Sequence, residues 1–312
     1  MRIKGTFLDE ISHDIPHQNW GIKEWDQDFK HMKSAGIDTV ILIRCGYRKW
    51  QTYPSQILAE RENTYSPPVD LVEMYLELAD KHNMAFYFGL YDSGKYWVNG
   101  KYEKEVEINK LVIDEVWKKY GHYKSFKGWY LSQECSRKTG KIIDLYASLG
   151  KYCKTVSGDL PTMISPYIDG LKSISQYVSE TTKDQGVSLA QHEKEWDEIF
   201  GGIKGAVDIV AFQDGHVEYD ELTDFLKLNK KMADKHGLEC WTNSETFDRD
   251  MPIKFLPIKW EKFKLKLEMA EKAGIENAIT FEFSHFMSPQ SAYLQAGKLF
   301  KRYTEYIKEV KN

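Results

Sequence analysis

The chain alternates between two hydrophobic rhythms. Short, nearly unbroken apolar runs of about four to eight residues give way to longer stretches in which apolar residues recur every three or four positions. The first run, Ile3 to Leu8, ends at the polar pair Asp9-Glu10. The next stretch sets Trp25, Phe29 and Met32 on one helical stripe. It stops at Ala35-Gly36, glycine being suited to a left-handed cap. A second strand, Thr39 to Ile43, ends at Arg44.

The pair then repeats. Strands are predicted at Met84–Leu90, Gly128–Glu134, Pro161–Ser165, Val207–Phe212, Leu238–Glu245 and Ala278–Phe283. Between and after them, helices are predicted near Val69–His82, Glu103–Tyr120, Lys141–Lys154, Leu189–Phe200, Glu221–His236, Ile258–Ala273 and Gln290–Ile307. Ser288-Pro289 opens the last one, a favoured helix start. One junction recurs before strands, a Gly or Asn followed by an apolar residue: Ala35-Gly36-Ile37, His82-Asn83-Met84, His236-Gly237-Leu238 and Ala273-Gly274-Ile275. Turns of one chemistry imply one geometry repeated around a ring.

Apolar strands alternating with amphipathic helices specify a parallel sheet covered by helices. Eight units in succession favour a closed α/β barrel, a (β/α)8 TIM barrel, as one domain over residues 1–312. No Gly-rich phosphate loop follows any strand, which removes support for a nucleotide-binding open sheet. Connections after strands are long, at Arg44–Pro68, Tyr91–Tyr102, Tyr167–Ser188 and Glu245–Pro257. In such barrels these loops gather at one face and build the active site.

Composition changes the picture little. Net charge is −4 with both signs interspersed, which excludes a nucleic-acid or anionic-membrane surface as the expected partner. No apolar run approaches the roughly 20 residues of a membrane span. With Met1 as the native start the expected compartment is the cytoplasm; removal of a signal peptide would make it the periplasm or the exterior. Cys45, Cys135, Cys153 and Cys240 are widely spaced, which fits free thiols rather than a zinc site. No cofactor is expected. The 9 Trp and 19 Tyr are more informative, because such rings fill cores and also offer faces on which sugars stack.

The last residues of each strand should line the mouth: Asp9 and Glu10, Arg44, Tyr91 and Asp92, Gln133 and Glu134, Tyr167, then Gln213, Asp214 and His216, Asn243 and Glu245, and Glu282, Ser284 and His285. Trp50, Tyr53, Trp97 and Phe247 in the adjoining loops could add stacking surfaces. This is a set suited to a polyhydroxylated ligand, and a carbohydrate is the expected partner. Glycoside hydrolysis needs one carboxylic acid to protonate the leaving oxygen and a second carboxylate to attack or to activate water. Glu134 and Glu245 close the fourth and seventh strands, which face each other across a small barrel. Alternation puts Tyr130, Ser132 and Glu134 on one side of their strand, and Trp241, Asn243 and Glu245 on one side of theirs.

The eightfold unit, a Glu after strands four and seven and an Arg after strand two resemble the retaining clan A glycosidases, family 5 among them. That resemblance implies Glu134 as acid/base, Glu245 as nucleophile and Arg44 as support for the nucleophile. The Asn-Glu pair of that group is Gln133-Glu134 here, and its aromatic after strand eight is replaced by Glu282-Phe283-Ser284-His285. More closely, Phe7-Leu8-Asp9-Glu10, the Gly128-to-Glu134 strand and the strand-eight segment resemble a bacterial domain-of-unknown-function family, number 4434, described as TIM-barrel glycosidases. Two other readings share the fold. A divalent-metal sugar isomerase or epimerase would use Glu134, Asp214, His216 and Glu282 as ligands. A non-catalytic glycan-binding barrel would use the mouth without its chemistry.

Overall fold

In the computed structural model, which describes residues 1–172, 186–249 and 255–309, eight parallel strands close a barrel. We label them β1 (Ile3–Leu8), β2 (Thr39–Leu42), β3 (Ala85–Gly89), β4 (Phe126–Tyr130), β5 (Thr162–Ile164), β6 (Ile209–Gln213), β7 (Glu239–Asn243) and β8 (Asn277–Thr280). Each pairs with its sequence neighbours, and β1 pairs with β8 to shut the ring. The covering helices are α1 (Ile22–Ser34), α2 (Leu71–His82), α3 (Tyr102–Tyr120), α4 (Ile142–Ser157), α5 (Leu189–Ile203), α6 (Tyr219–His236), α7 (Trp260–Lys272) and α8 (Leu294–Glu309). The (β/α)8 expectation is met, with strand ends differing from the apolar runs by a few residues.

The recurring junction has the expected geometry. Gly36, Asn83, Gly237 and Gly274 all have positive φ, between 50° and 84°. In that left-handed conformation the chain reverses from helix into strand within a few residues. Two apolar layers follow from the strand pleat. Phe7, Ile41, Tyr87, Tyr130, Met163, Ala211, Trp241 and Ile279 fill the barrel interior. The alternate residues, among them Phe88 and Trp129, pack against the helices. The buried Trp129 indole N–H donates to Ser157 Oγ at 3.0 Å, so the core carries no unpaired donor there.

The loop after β2 is not irregular. It carries a hairpin (Gly46–Tyr47 with Trp50–Gln51) and a short helix, Gln56–Glu62. Gly46–Tyr47 also pairs with Tyr91–Asp92, making a three-stranded sheet at the mouth. Of the other long loops, Tyr167–Ser188 and Glu245–Pro257 lie partly outside the described residues; in the second, Phe247–Asp248 pairs with Leu256–Pro257. Among the described residues no helix is long and apolar enough to cross a membrane. The four cysteines are free and buried.

Candidate active site

At the C-terminal mouth lies a cavity of about 200 Å3. Its polar wall holds Arg44 after β2, Asp92 after β3, Glu134 after β4, Gln213 at the end of β6, and Glu245 and Arg249 after β7. Ser12, His13 and Asp14 enter from the loop after β1. Apolar lining comes from Ile15, Phe247, Phe255 and Phe281.

Strand parity delivers both carboxyls. Tyr130 and Trp241 point into the barrel, and residues four further on in each chain segment, Glu134 and Glu245, reach the cavity above them. Tyr130 Oη donates to Glu134 Oε1 at 2.8 Å. Arg44 Nη2 lies 3.5 Å from Glu134 Oε2, and its Nε lies 3.4 Å from Asp92 Oδ2. Burial pushes the Glu134 carboxyl above its ordinary value, and the Arg44 charge and the Tyr130 hydrogen bond offset only part of that.

Glu245 stands in a different field. Arg249, four residues further along the chain, grips it with both arms: Nε to Oε2 and Nη2 to Oε1, each 2.8 Å. The guanidinium lies 4.8 Å from the Phe247 ring centre and 5.7 Å from that of Phe255. The backbone is clamped as well. Asp214 Oδ1 accepts from the Glu245 amide at 3.2 Å, Lys266 Nζ donates to the Glu245 carbonyl at 3.2 Å, and Asp214 and Lys266 pair at 2.6 Å. Burial pushes the Glu245 carboxyl up, but the Arg249 charge and its hydrogen bonds outweigh it, and the net displacement is below the ordinary value. Gly215 completes the fit: a Cβ there would fall 1.8 Å from Glu245 Oε2.

The predicted mouth residues divide. Arg44, Glu134, Gln213 and Glu245 share the cavity wall. Arg44 pairs with Glu134 and Asp92, so the support expected for Glu245 comes from Arg249 instead. The His216 and Tyr167 rings lie 5.3 Å apart, and burial, with the Arg249 charge, lowers His216 to about 4, leaving it neutral. Others are drawn behind the wall. Asp9 accepts from the Ile11 and Ser12 amides. The Gln133 amide donates to the Tyr91 carbonyl and to Glu105. Asn243 donates to Ser165 Oγ.

Glu282 and His285 are fully buried, and this corrects their placement at the mouth. Glu282 caps the turn Phe283–Phe286 and binds His285 Nδ1 at 2.7 Å. His285 Nε2 lies 2.7 Å from the Pro16 carbonyl, so both ring nitrogens meet acceptors. Although burial opposes it, Glu282 and Glu10 raise His285 to about 9, an imidazolium. Glu10 accepts from the Gln18 amide in the same cluster. Phe281, directly before the Glu282-to-His285 segment, lines the cavity. Trp97 donates to Asp92 behind the wall, and Trp50 stands outside the cavity, 60% exposed.

The ligand set offered for a metal does not converge. Asp214 is taken by Lys266 and Glu282 by His285. Among the described residues no three His, Cys, Asp or Glu side chains form a metal-binding group. Sequence reasoning missed Arg249, Phe255 and Phe281, and it placed Tyr130 on the Glu134 side of its strand without foreseeing their hydrogen bond. Of the missed three, only Arg249 left a trace, its spacing of four from Glu245.

The family model "Domain of unknown function (DUF4434)" matches residues 3–293. The chain belongs to this family. No functionally curated protein matches it. Among solved structures, a Bacteroides thetaiotaomicron protein described as a candidate α-L-fucosidase is 63% identical, covers 98% of this chain over 93% of its own, and superposes with a TM-score of 0.93. An endo-1,4-β-D-mannanase from Thermotoga petrophila is similar in fold at 12% identity, with a TM-score of 0.58 over 98% of this chain and all of its own (100%). A β-galactosidase from Marinomonas ef1 is similar at 11% identity, with a TM-score of 0.60 over 100% of this chain and 60% of its own.

Proposed function

We propose that this family member is a retaining glycoside hydrolase, with Glu134 as acid/base and Glu245 as nucleophile. The observation that carries the reading is that two carboxyls line one cavity in contrasting settings: Glu134 accepts from Tyr130 with Arg44 at 3.5 Å, and burial raises it, whereas Arg249 grips both oxygens of Glu245 and lowers it despite burial. Divergent carboxyl environments mark acid and nucleophile assignments. The highly identical relative supports glycoside cleavage and makes an α-L-fucoside the first substrate to test.

In the first half-reaction the Glu134 carboxyl gives its proton to the glycosidic oxygen. A Glu245 oxygen attacks the anomeric carbon, and the aglycone leaves as an alcohol. In the second, the Glu134 carboxylate takes a proton from water as its oxygen displaces the Glu245 ester, and both groups return to their starting forms. The apolar lining of Phe247, Phe255 and Phe281 offers a surface for the less polar face of the sugar.

The test uses an aryl α-L-fucoside and azide. Glu245→Gln should abolish turnover, whereas Glu134→Ala should lose most of it and regain part with azide, giving an azide product of retained configuration. Wild-type turnover by Glu245→Gln, or an inverted first product by NMR, would sink the assignment.

A further inference from the structure

The sheet at the mouth places four side chains in one row. Asp92 is paired with Tyr47, Tyr47 with Trp50, and Trp50 bridges to Tyr65. Residues directly opposite one another on adjacent strands project from the same face. The row therefore starts inside the cavity, where Asp92 and Tyr47 are wall residues, and ends in solvent. Trp50 and Tyr65 are 60% and 59% exposed, with ring centres 5.1 Å apart. Two large aromatics side by side in water are uncommon on a rigid element.

The element is rigid. The Thr52 amide donates to the Cys45 carbonyl at 2.9 Å, and Tyr65 closes the far edge by donating from its amide to the Lys49 carbonyl at 2.7 Å. On the inner side the Tyr91 hydroxyl donates to the Arg48 carbonyl at 2.9 Å. Tyr47 itself is occupied, with the Arg44 and Arg48 guanidiniums 5.3 and 4.9 Å from its ring centre. The free faces belong to Trp50 and Tyr65.

We infer that Trp50 and Tyr65 form an outer carbohydrate platform, which holds the part of an oligosaccharide extending from the cavity. This rests on the reading of the cavity as a glycosidase site. A cavity of about 200 Å3 does not enclose a long oligosaccharide. The remainder of a longer glycan must leave through the mouth, and the row continues from the wall. Its three strand spacings cover roughly 14 Å, the length of about two or three sugar rings. Aromatic faces suit the C–H faces of sugars, and two uncharged rings tilted 48° to one another form a shallow, bent surface that suits a glycan better than a charged ligand. The expected substrate class is thus an oligosaccharide rather than a small glycoside.

The probe is a printed panel of neutral oligosaccharides beside the matching monosaccharides, bound by the silenced Glu134→Gln protein. The best binder is then titrated by calorimetry against the same protein carrying Trp50→Ala or Tyr65→Ala. An oligosaccharide should bind more tightly than its terminal monosaccharide, and each substitution should weaken it roughly three- to tenfold while leaving the thermal melt in place. Oligosaccharide affinity unchanged by both substitutions overturns the platform, as does a panel with no bound glycan. Sedimentation showing that Trp50→Ala splits a dimer would also overturn it, by assigning the pair to a second copy of the chain. Turnover by the unsilenced enzyme is read separately, so hydrolysis without platform binding would leave the cavity assignment standing and remove only this inference.

Discussion

Removing Arg249 would leave the Glu245 carboxylate, 2% exposed, with no bidentate partner. A buried charge that loses its partner is costly, and the partial exposure of Arg249 places the expected loss for Arg249→Met at about 2–4 kcal/mol, read by urea unfolding. The same change should move the acid limb of kcat/KM to higher pH, because the cation helps to keep Glu245 ionised. Arg44 acts on the other limb. Its charge lowers a Glu134 carboxyl that burial raises, so Arg44→Gln should carry the alkaline limb upward. A downward shift in either variant would contradict the assignment. Gly215→Ala makes a third test, since the added methyl has to displace Glu245. Activity should fall far more than stability does. At this scale the sequence located Glu134 and Glu245 at the cavity wall, because strand parity guides where a residue near a strand tip points. It did not disclose which arginine serves which, because loop paths decide that and Arg249 lies in one.

The turn after β8 shows how an element can mislead. Glu282, Ser284 and His285 looked like mouth residues because they follow a strand. The chain instead folds at once into the capped turn Phe283–Phe286, which takes the polar groups inward. Its imidazolium is a stability device with a defined sign. His285 rises from 6.5 to about 9 on folding, so its contribution is complete below pH 6.5 and is lost as pH climbs through 9. His285→Gln should lower Tm at neutral pH and flatten the alkaline decline that the parent shows in calorimetric scans. Helices were more legible. The positive-φ caps and apolar stripes are local chemistry, and α2, α3 and α6 lie within two residues of the predicted spans. The hairpin after β2 was not legible, since its strands are two residues each and pair with a segment far along the chain.

Across the whole molecule, Glu10 and Glu105 rise from 4.5 to about 7 and Asp28 from 3.8 to about 7, burial being the main cause in each. Raised acids stabilise the fold below their unfolded values and lose that contribution as pH passes 7. Burial lowers His192 and His216 to about 4, which acts the other way below pH 6.5. The three raised acids and His285 outnumber them, so calorimetry should find Tm higher at pH 5 than at pH 8; a Tm that rises over this interval would refute it. The ring closure was legible as a count of eight, but its fastening was not. The first strand is completed by the last helix: Tyr303 Oη in α8 accepts from the Ile3 amide at 2.7 Å, across 300 positions of sequence. A ribosome delivering this polypeptide in order must release nearly all of it before β1 gains its second neighbour. Until then the nascent chain offers an open edge to every other chain nearby. Rapid overproduction should lose material at that unfinished stage, and slowing translation should recover it without any change in the finished protein.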